Sequence, residues 1–167
     1  HHYGSNADST AYKIEPLYVA DIEFGAGPPN ITDVSRDPCV PGVDDMVTFS
    51  ANIVDNSTIS EASVYYRIND GNWNIIAMTN TTDDTWSGSI SPSATDGAFI
   101  EYFVKAADDG SDQSEIKWSE FPDISNGNFL GYNTLSSALI INNIQYSPWP
   151  NGESPYNGCD VTVTGVV

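Results

Sequence analysis

Hydrophobic and polar side chains alternate along the middle of the chain with the two-residue period of a β-strand. The clearest example is residues 47–53, where Val47, Phe49, Ala51 and Ile53 are separated by Thr, Ser and Asn. Successive side chains of a strand point to opposite faces of its sheet. This pattern therefore predicts a strand with one buried face and one exposed face.

Further strands are predicted wherever the same alternation returns between turn signals. They cover residues 31–35, 62–68, 73–79, 85–90, 99–106 and 115–118. Between 62–68 and 73–79, the sequence Asn-Asp-Gly-Asn at 69–72 contains the Asp-Gly signature of a tight hairpin. No segment shows a sustained helical period, so helical crossovers between strands are not expected.

The amino-acid composition favours the same fold class. The chain contains 15 Ile and 12 Val against 4 Leu, together with 9 Tyr, 6 Phe and 4 Trp. β-branched and aromatic side chains fit the pleated, half-buried surface of a strand, whereas helices are built mainly on Leu, Ala, Glu and Lys.

We therefore predict an all-β fold, an immunoglobulin-like β-sandwich over residues 28–120 with β-strand flanking segments. Residues 1–27 are interpreted as an N-terminal extension or the tail of an upstream domain. The Ser-, Asn- and Gly-rich residues 121–136 are interpreted as a linker. The strands predicted beyond it cover 138–146 and 160–167. Because two strands do not make an independent domain, residues 137–167 are interpreted as the start of a second domain.

The charge balance excludes two classes of function. The chain has 23 Asp and Glu residues against 5 Lys and Arg residues, which gives a formal net charge of -18. A nucleic-acid groove and a patch for anionic lipid both need clustered cations. No run of apolar residues is long enough for a membrane span. We therefore expect neither nucleic-acid binding nor membrane insertion.

The sequence offers no convincing catalytic set. Its only histidines are His1 and His2, so a Ser-His-Asp or Cys-His arrangement has no credible base, and the spacing of zinc ligands is missing. Glu101 and Glu115 could be considered as a glycosidase pair, but both lie on strands patterned for surface display. We expect no enzymatic activity.

Several segments follow one another in an order that resembles a known kind of module. They are 28–34, 45–48, 64–73 (VYYRINDGNW), 85–90 and 100–108 (IEYFVKAAD). This order resembles the Ig-like, fibronectin-III-like modules of secreted multidomain bacterial surface proteins. Residues 141–146 and 161–167 are similar to the opening of an OB-like β domain. The resemblance implies a secreted or cell-surface protein whose partners are neighbouring domains of the same polypeptide.

Asp108, Asp109 and Asp112 form an acidic loop that is a candidate calcium site. A hard cation such as Ca²⁺ takes six to eight oxygen ligands, and carboxylates clustered on a turn supply them. The full EF-hand pattern is absent, and loop acids also keep a surface solvated without any ion. We therefore expect no cofactor, with bound Ca²⁺ as the alternative.

Trp73 and Trp86 are the first candidates for ligand-binding aromatics, within a wider set that also contains Trp118, Trp149, Tyr65, Tyr66 and Tyr102. Their rings could stack on carbohydrate, because an aromatic ring presents an apolar body next to polar groups. The alternative is that both rings pack across adjacent strands or into the core.

Cys39 and Cys159 are the two cysteines of the chain. They could form a disulfide in an oxidising compartment and tie the sandwich to the segment that follows it. Each also precedes a segment containing Val-Thr, so they could instead occupy equivalent positions in two successive domains.

The first functional hypothesis is a non-catalytic extracellular module that acts as a spacer or as an interaction and display domain. The alternatives are a carbohydrate-binding accessory module, with or without Ca²⁺, and an accessory region of an extracellular hydrolase such as a nuclease. A further alternative is the subunit of a strand-exchanged filament. The partners expected besides the neighbouring domains are a carbohydrate or another protein.

Overall fold

The computed structural model describes residues 27–93, 95–111 and 115–163. In these ranges the chain forms the strands β1 (Asn30–Asp37), β2 (Val47–Val54), β3 (Ile59–Ile68), β4 (Asn74–Ala77), β5 (Thr79–Thr82), β6 (Thr85–Ile90), β7 (Phe99–Asp108), β8 (Trp118–Phe121) and β9 (Leu130–Asn133). A 3-10 turn at Ile124–Asn126 and the helix α1 (Ile141–Gln145) are also present. Residues 1–26 of the predicted N-terminal extension, and Asp112, lie outside the described residues.

The strands form two antiparallel sheets that pack face to face. The first sheet has the order β1-β2-β6-β5, and the second has the order β4-β3-β7-β8, with β9 also paired to β7. The predicted fold class, an all-β sandwich, is therefore confirmed. None of the helices in the described ranges is long and apolar enough to cross a membrane.

The core lies between the two sheets, on the faces that the alternation predicts. Val47, Phe49, Ala51 and Ile53 of β2 are all buried. The rings of Phe49 and Tyr102, which come from opposite sheets, lie with their centroids 4.6 Å apart. The two-residue period was therefore sufficient to locate the inner face of the first sheet.

The β3–β4 hairpin turns one residue earlier than the Asp-Gly signal suggests. Asn69 and Asp70 both have positive φ angles, of 48° and 57°, and the Gly71 N–H donates to the Ile68 carbonyl at 2.9 Å. Two successive left-handed residues form the turn whose twist matches a hairpin, and Asn and Asp tolerate that conformation better than most residues.

The predicted strand 73–79 is divided between the two sheets. β4 pairs with β3 in the second sheet, whereas β5 pairs with β6 in the first. The chain crosses at Met78, whose side chain is buried and whose N–H donates to the Ala62 carbonyl at 2.8 Å.

The last strand position of the second sheet is shared by two short strands. β8 pairs with residues 104–107 of β7, and β9 pairs with residues 99–102. The predicted linker 121–136 therefore contains a strand of the sandwich. The sequence of β9, Leu-Gly-Tyr-Asn, is too short and too rich in turn-forming residues to show a strand period.

Residues 137–163, the C-terminal segment, fold back against the sandwich. The predicted strand 138–146 is wrong, because this stretch contains α1, with the Asn143 side chain accepting from the Ile140 N–H at 3.0 Å. Leu139, Trp149 and Tyr156 of the segment are buried. Of the predicted strand 160–167, the described part makes a single bridge, between Val163 and Leu139, and residues 164–167 lie outside the described residues.

Arg36 of β1 joins the sandwich to the C-terminal segment. Its Nε donates to the Cys39 carbonyl at 2.9 Å, and its Nη2 donates to the Pro155 carbonyl at 2.8 Å. Its Nη1 lies 3.4 Å from the Tyr102 hydroxyl. One guanidinium therefore contacts the residues after β1, the core and the C-terminal segment. It can do so because Arg, unlike Lys, carries several N–H donors in a fixed planar fork.

A disulfide between Cys39 and Cys159 closes the same region, with 5.9 Å between the two Cα atoms. Arg36 also lies over the rings of Tyr132 and Tyr156, at 5.2 and 5.9 Å from their centroids. The C-terminal segment is thus held by a covalent bond, by charge-assisted hydrogen bonds and by cation–π contacts.

We expect replacement of both cysteines by serine (C39S/C159S) to lower the free energy of unfolding by about 2–4 kcal/mol. The disulfide joins residues 120 positions apart and so restricts the unfolded chain. Urea unfolding of the variant, compared with the parent protein with and without dithiothreitol, measures the effect. The reduced parent protein should have the same urea midpoint as the variant. A parent protein whose midpoint does not change when dithiothreitol is added would contradict this expectation.

Stability should also fall at alkaline pH. Burial raises the pKa of Tyr102, Tyr132 and Tyr156 above the ordinary value of 10.0. The folded state therefore favours the neutral phenols. Their contribution to the free energy of unfolding is fully present below about pH 10 and is lost as the pH rises further. Urea midpoints should fall above about pH 10. The Tyr132→Phe variant, with one phenol fewer, should show a shallower fall, and an equal slope in both proteins would contradict the assignment.

Candidate functional site

The second sheet presents a band of aromatic side chains on its outer face, the face turned away from the core. Tyr65 of β3 pairs across the strands with Phe103 of β7, and their rings stack with centroids 4.9 Å apart and planes 16° from parallel. Both positions are odd-numbered and alternate with core residues such as Val64 and Val104. The two-residue period of the strands therefore places both rings on the outer face.

Trp73 extends this band at the sheet edge. Its ring meets Phe103 edge-on at 5.2 Å and Phe129 at 5.3 Å between centroids. Trp73 remains 38% exposed, and Ile75, which pairs with Tyr65, is 60% exposed. We call Tyr65, Trp73, Phe103 and Phe129, together with Ile75, the aromatic patch.

Arg67 lies beside the aromatic patch in a fixed position. Its guanidinium carbon is 4.8 Å from the Trp73 ring centroid and 5.2 Å from that of Phe129. The same group forms an ion pair with Glu101, at 2.6 Å from Nη2 to Oε2, and its Nη2 lies 3.6 Å from the Asp70 carboxylate. A charged group held in this way can offer hydrogen bonds next to apolar rings without first being ordered.

Glu101 is the buried anchor of that arrangement. Its side chain is 7% exposed, one carboxylate oxygen takes the Arg67 hydrogen bonds, and the other accepts from the Trp149 indole N–H at 2.9 Å. The prediction of a surface-exposed Glu101 is therefore wrong, although the residue does point away from the core. Trp149, from the C-terminal segment, covers it.

The two tryptophans proposed as ligand contacts lie on different sheets. Trp73 belongs to the aromatic patch, whereas Trp86 of β6 pairs with Ala51 and packs against the core from the inner side of the first sheet. The structure therefore does not bring Trp73 and Trp86 together in one platform.

Asp108 and Asp109, the described members of the acidic loop, have different surroundings. Asp108 is buried, and its Oδ1 accepts from the N–H groups of Gly110 at 3.0 Å and Lys117 at 2.9 Å. Asp109 is exposed, and hydrogen bonds from Ser111 lower the pKa of its carboxyl group. Within 27–93, 95–111 and 115–163, no three His, Cys, Asp or Glu side chains are grouped as a metal site. Calcium binding by this loop remains a prediction.

Sequence reasoning missed Arg67 and Phe129 of the site, considered Glu101 only as half of a glycosidase pair, and named Trp149 only as one of several rings that could stack on a sugar. Arg67 could have been found from the sequence, because it shares the outer face of a predicted strand with Tyr65 and is one of only five Lys and Arg residues. No local signal indicated that Phe129 and Trp149 pack against β7. They lie in segments interpreted as a linker and as a second domain, and their packing on β7 depends on long-range folding.

Comparisons with known proteins assign no family. No family model matches the chain, and no curated protein matches it. Among solved structures, the crystal structure of a bromine derivative of BhCBM56 matches with a TM-score of 0.35 and 16% identity, over 65% of this chain and 88% of that chain. These comparisons do not confirm the predicted resemblance to Ig-like modules.

The contact between Trp149 and Glu101 yields a test of this region. We expect Trp149→Phe to lower the free energy of unfolding by about 1–3 kcal/mol, because a buried carboxylate oxygen loses its donor. Trp118→Phe is the control, since Trp118 is 46% exposed and lies over Lys105 rather than over a buried acid. A double-mutant cycle with Glu101→Ala, which removes the acceptor, separates the coupling between the two side chains from the lost ring contacts. No coupling between positions 149 and 101 would contradict the role given to Trp149.

Proposed function

We propose that this chain is a non-catalytic carbohydrate-binding module that takes a glycan on the aromatic patch. The observation that supports this most is the combination of the exposed side chains of Trp73 and Ile75 with the neighbouring guanidinium of Arg67, which the ion pair with Glu101 holds in place. A sugar ring has an apolar C–H face and a polar rim of hydroxyls. It therefore matches a surface in which apolar rings adjoin a few oriented polar groups.

The charges favour a neutral glycan. The chain carries a formal net charge of -18, which repels sulfated or carboxylated polysaccharides. The cations of this face are already paired: Arg67 contacts Glu101 and Asp70, and the Lys105 ammonium lies 3.1 Å from Glu120. Neutral polysaccharides therefore suit the aromatic patch better than anionic ones.

The strand order supports an Ig-like classification of the module. In the immunoglobulin constant-type sandwich, strands A, B, E and D form one sheet, and C, F and G form the other. β1-β2-β6-β5 follows the order of the first set and β3-β7-β8 that of the second, with β4 added beside β3. The Cys39–Cys159 disulfide supports an oxidising location outside the cell or at its surface.

A spacer between neighbouring domains is the second candidate. It is favoured by the way in which the C-terminal segment is fastened to β1 through the disulfide and through Arg36. A spacer must transmit orientation, and a segment fixed at several points does so better than a flexible tail. The accessory role beside a hydrolase and the strand-exchanged filament remain predictions.

Pull-down on insoluble neutral polysaccharides such as cellulose, chitin, β-glucan and mannan tests the proposal. Trp73→Ala should weaken the binding of the parent protein by about tenfold, because the exposed ring is removed from the contact surface. Trp86→Phe is the matched control, since Trp86 packs against the core, and it should retain binding. Circular dichroism checks that both variants fold. A parent protein that binds none of the polymers would favour the spacer.

A further inference from the structure

An open cleft of about 510 Å³ lies where the outer face of the second sheet ends. It is bounded by the turn residues Asn69 and Asp70, by the strand ends at Phe99 and Asn133, and by α1 with the residue after it. Its volume is in the range of pockets that hold small organic ligands. The cleft continues the aromatic patch, because Asn69 is two residues beyond Arg67 on the β3 side and Phe99 is two residues before Glu101 on β7.

Three amide side chains of the cleft are each held through one atom by a described residue, and each has its other polar atom available. Asn69 Oδ1 accepts from the Phe99 N–H at 2.9 Å, which leaves its NH₂ group. Asn143 Oδ1 accepts from the Ile140 N–H at 3.0 Å, which likewise leaves its NH₂ group. Asn133 donates to the Gly97 carbonyl at 3.5 Å, which leaves its Oδ1 as an acceptor. The cleft therefore has both donors and acceptors that are oriented by the protein itself.

Two further polar side chains, Asn142 and Asp70, also line the cleft. The Asn142 amide makes no side-chain hydrogen bond with any described residue, although it lines the cleft. The Asp70 carboxylate is 88% exposed and is held at 3.6 Å from Arg67. These groups add one donor–acceptor pair and one strong acceptor to the same opening.

Aromatic rings line the cleft between these polar groups. Tyr146 is 53% exposed and meets Phe99 edge-on, with centroids 6.2 Å apart. Phe99 is backed in turn by the ring of Trp149 at 6.1 Å. Among the described residues that line the cleft, none is Lys, Arg or His.

We propose that this cleft binds a terminal sugar unit of a neutral glycan through its vicinal hydroxyls. Adjacent hydroxyls present a donor and an acceptor at neighbouring positions, which an Asn amide matches with its two ends. The rings of Tyr146 and Phe99 match the apolar C–H face. A glycan lying on the aromatic patch reaches the cleft at the end of the sheet, and α1 stands beyond that end. This inference rests on the proposed function, because it assigns the next unit of the same ligand.

Titration calorimetry with neutral oligosaccharides, beside the polymer pull-down, tests the inference. The panel contains cello-, chito-, manno- and β-1,3-gluco-oligosaccharides of two to six units. Asn142→Ala should weaken oligosaccharide binding by about tenfold, the loss expected for two ordinary hydrogen bonds. Asn56→Ala is the matched control. Asn56 lies exposed in the β2–β3 turn, away from the cleft, and its replacement should leave binding unchanged.

The outcomes distinguish the inference from the proposed function. If Trp73→Ala abolishes polymer binding but Asn142→Ala leaves oligosaccharide binding unchanged, the cleft proposal is overturned and the proposed function stands. Oligosaccharide binding that needs Asn142 without any polymer binding would support the cleft and overturn the aromatic patch. Equal binding of an oligomer of uronic acids would overturn the neutral ligand class. An absence of binding to every glycan in the panel would overturn both proposals.

Discussion

The structure depends on one constraint: strand β7 is buried on both faces. Its even-numbered residues from Ile100 to Ala106 face the core, as a two-layer sandwich requires. Its outer residues Glu101 and Phe103 are buried as well. The rings of Tyr65, Trp73 and Phe129 surround Phe103, and Trp149 of the C-terminal segment covers Glu101. The central strand β7 is therefore packed on both faces, and part of its outer cover comes from residues that follow β8 in the chain.

The buried carboxylate of Glu101 determines which side chains can pack over the outer face of β7. A buried charge is tolerated only when it is paired and hydrogen-bonded. Arg67 provides the charge, and Trp149 provides the remaining donor. The ion pair that satisfies the buried carboxylate of Glu101 also holds Arg67 in place beside Trp73. The same contact therefore orders the exposed surface next to it. Stability and the candidate binding face thus share the same contacts.

The sequence predicted which residues are buried wherever burial follows the local two-residue period. It did not predict burial that depends on segments distant in the chain. β2 is half-buried by the opposite sheet, and its alternation located the core directly. The outer face of β7 looked like a surface, because its cover comes from rings distant in the chain, Tyr65 and Trp73 before it and Phe129 and Trp149 after it. At 138–146 the apolar residues suggested a strand, but Ile140 and Ile141 are exposed and adjoin a helix. No local pattern separates Trp73, which is half-exposed, from Trp86, which packs on the core.

The disulfide also determines how the chain would respond to a pulling force. Cys39 and Cys159 join two points that are 120 residues apart. Tension applied to the chain ahead of β1 and beyond Cys159 therefore follows the covalent path from residue 39 to residue 159 through the sulfur atoms. Residues 40–158, which include β2 to β9, lie outside that covalent path. Such a force would pull on β1 and on the Val163–Leu139 bridge, whereas the strands that carry the candidate binding face would stay joined behind the disulfide.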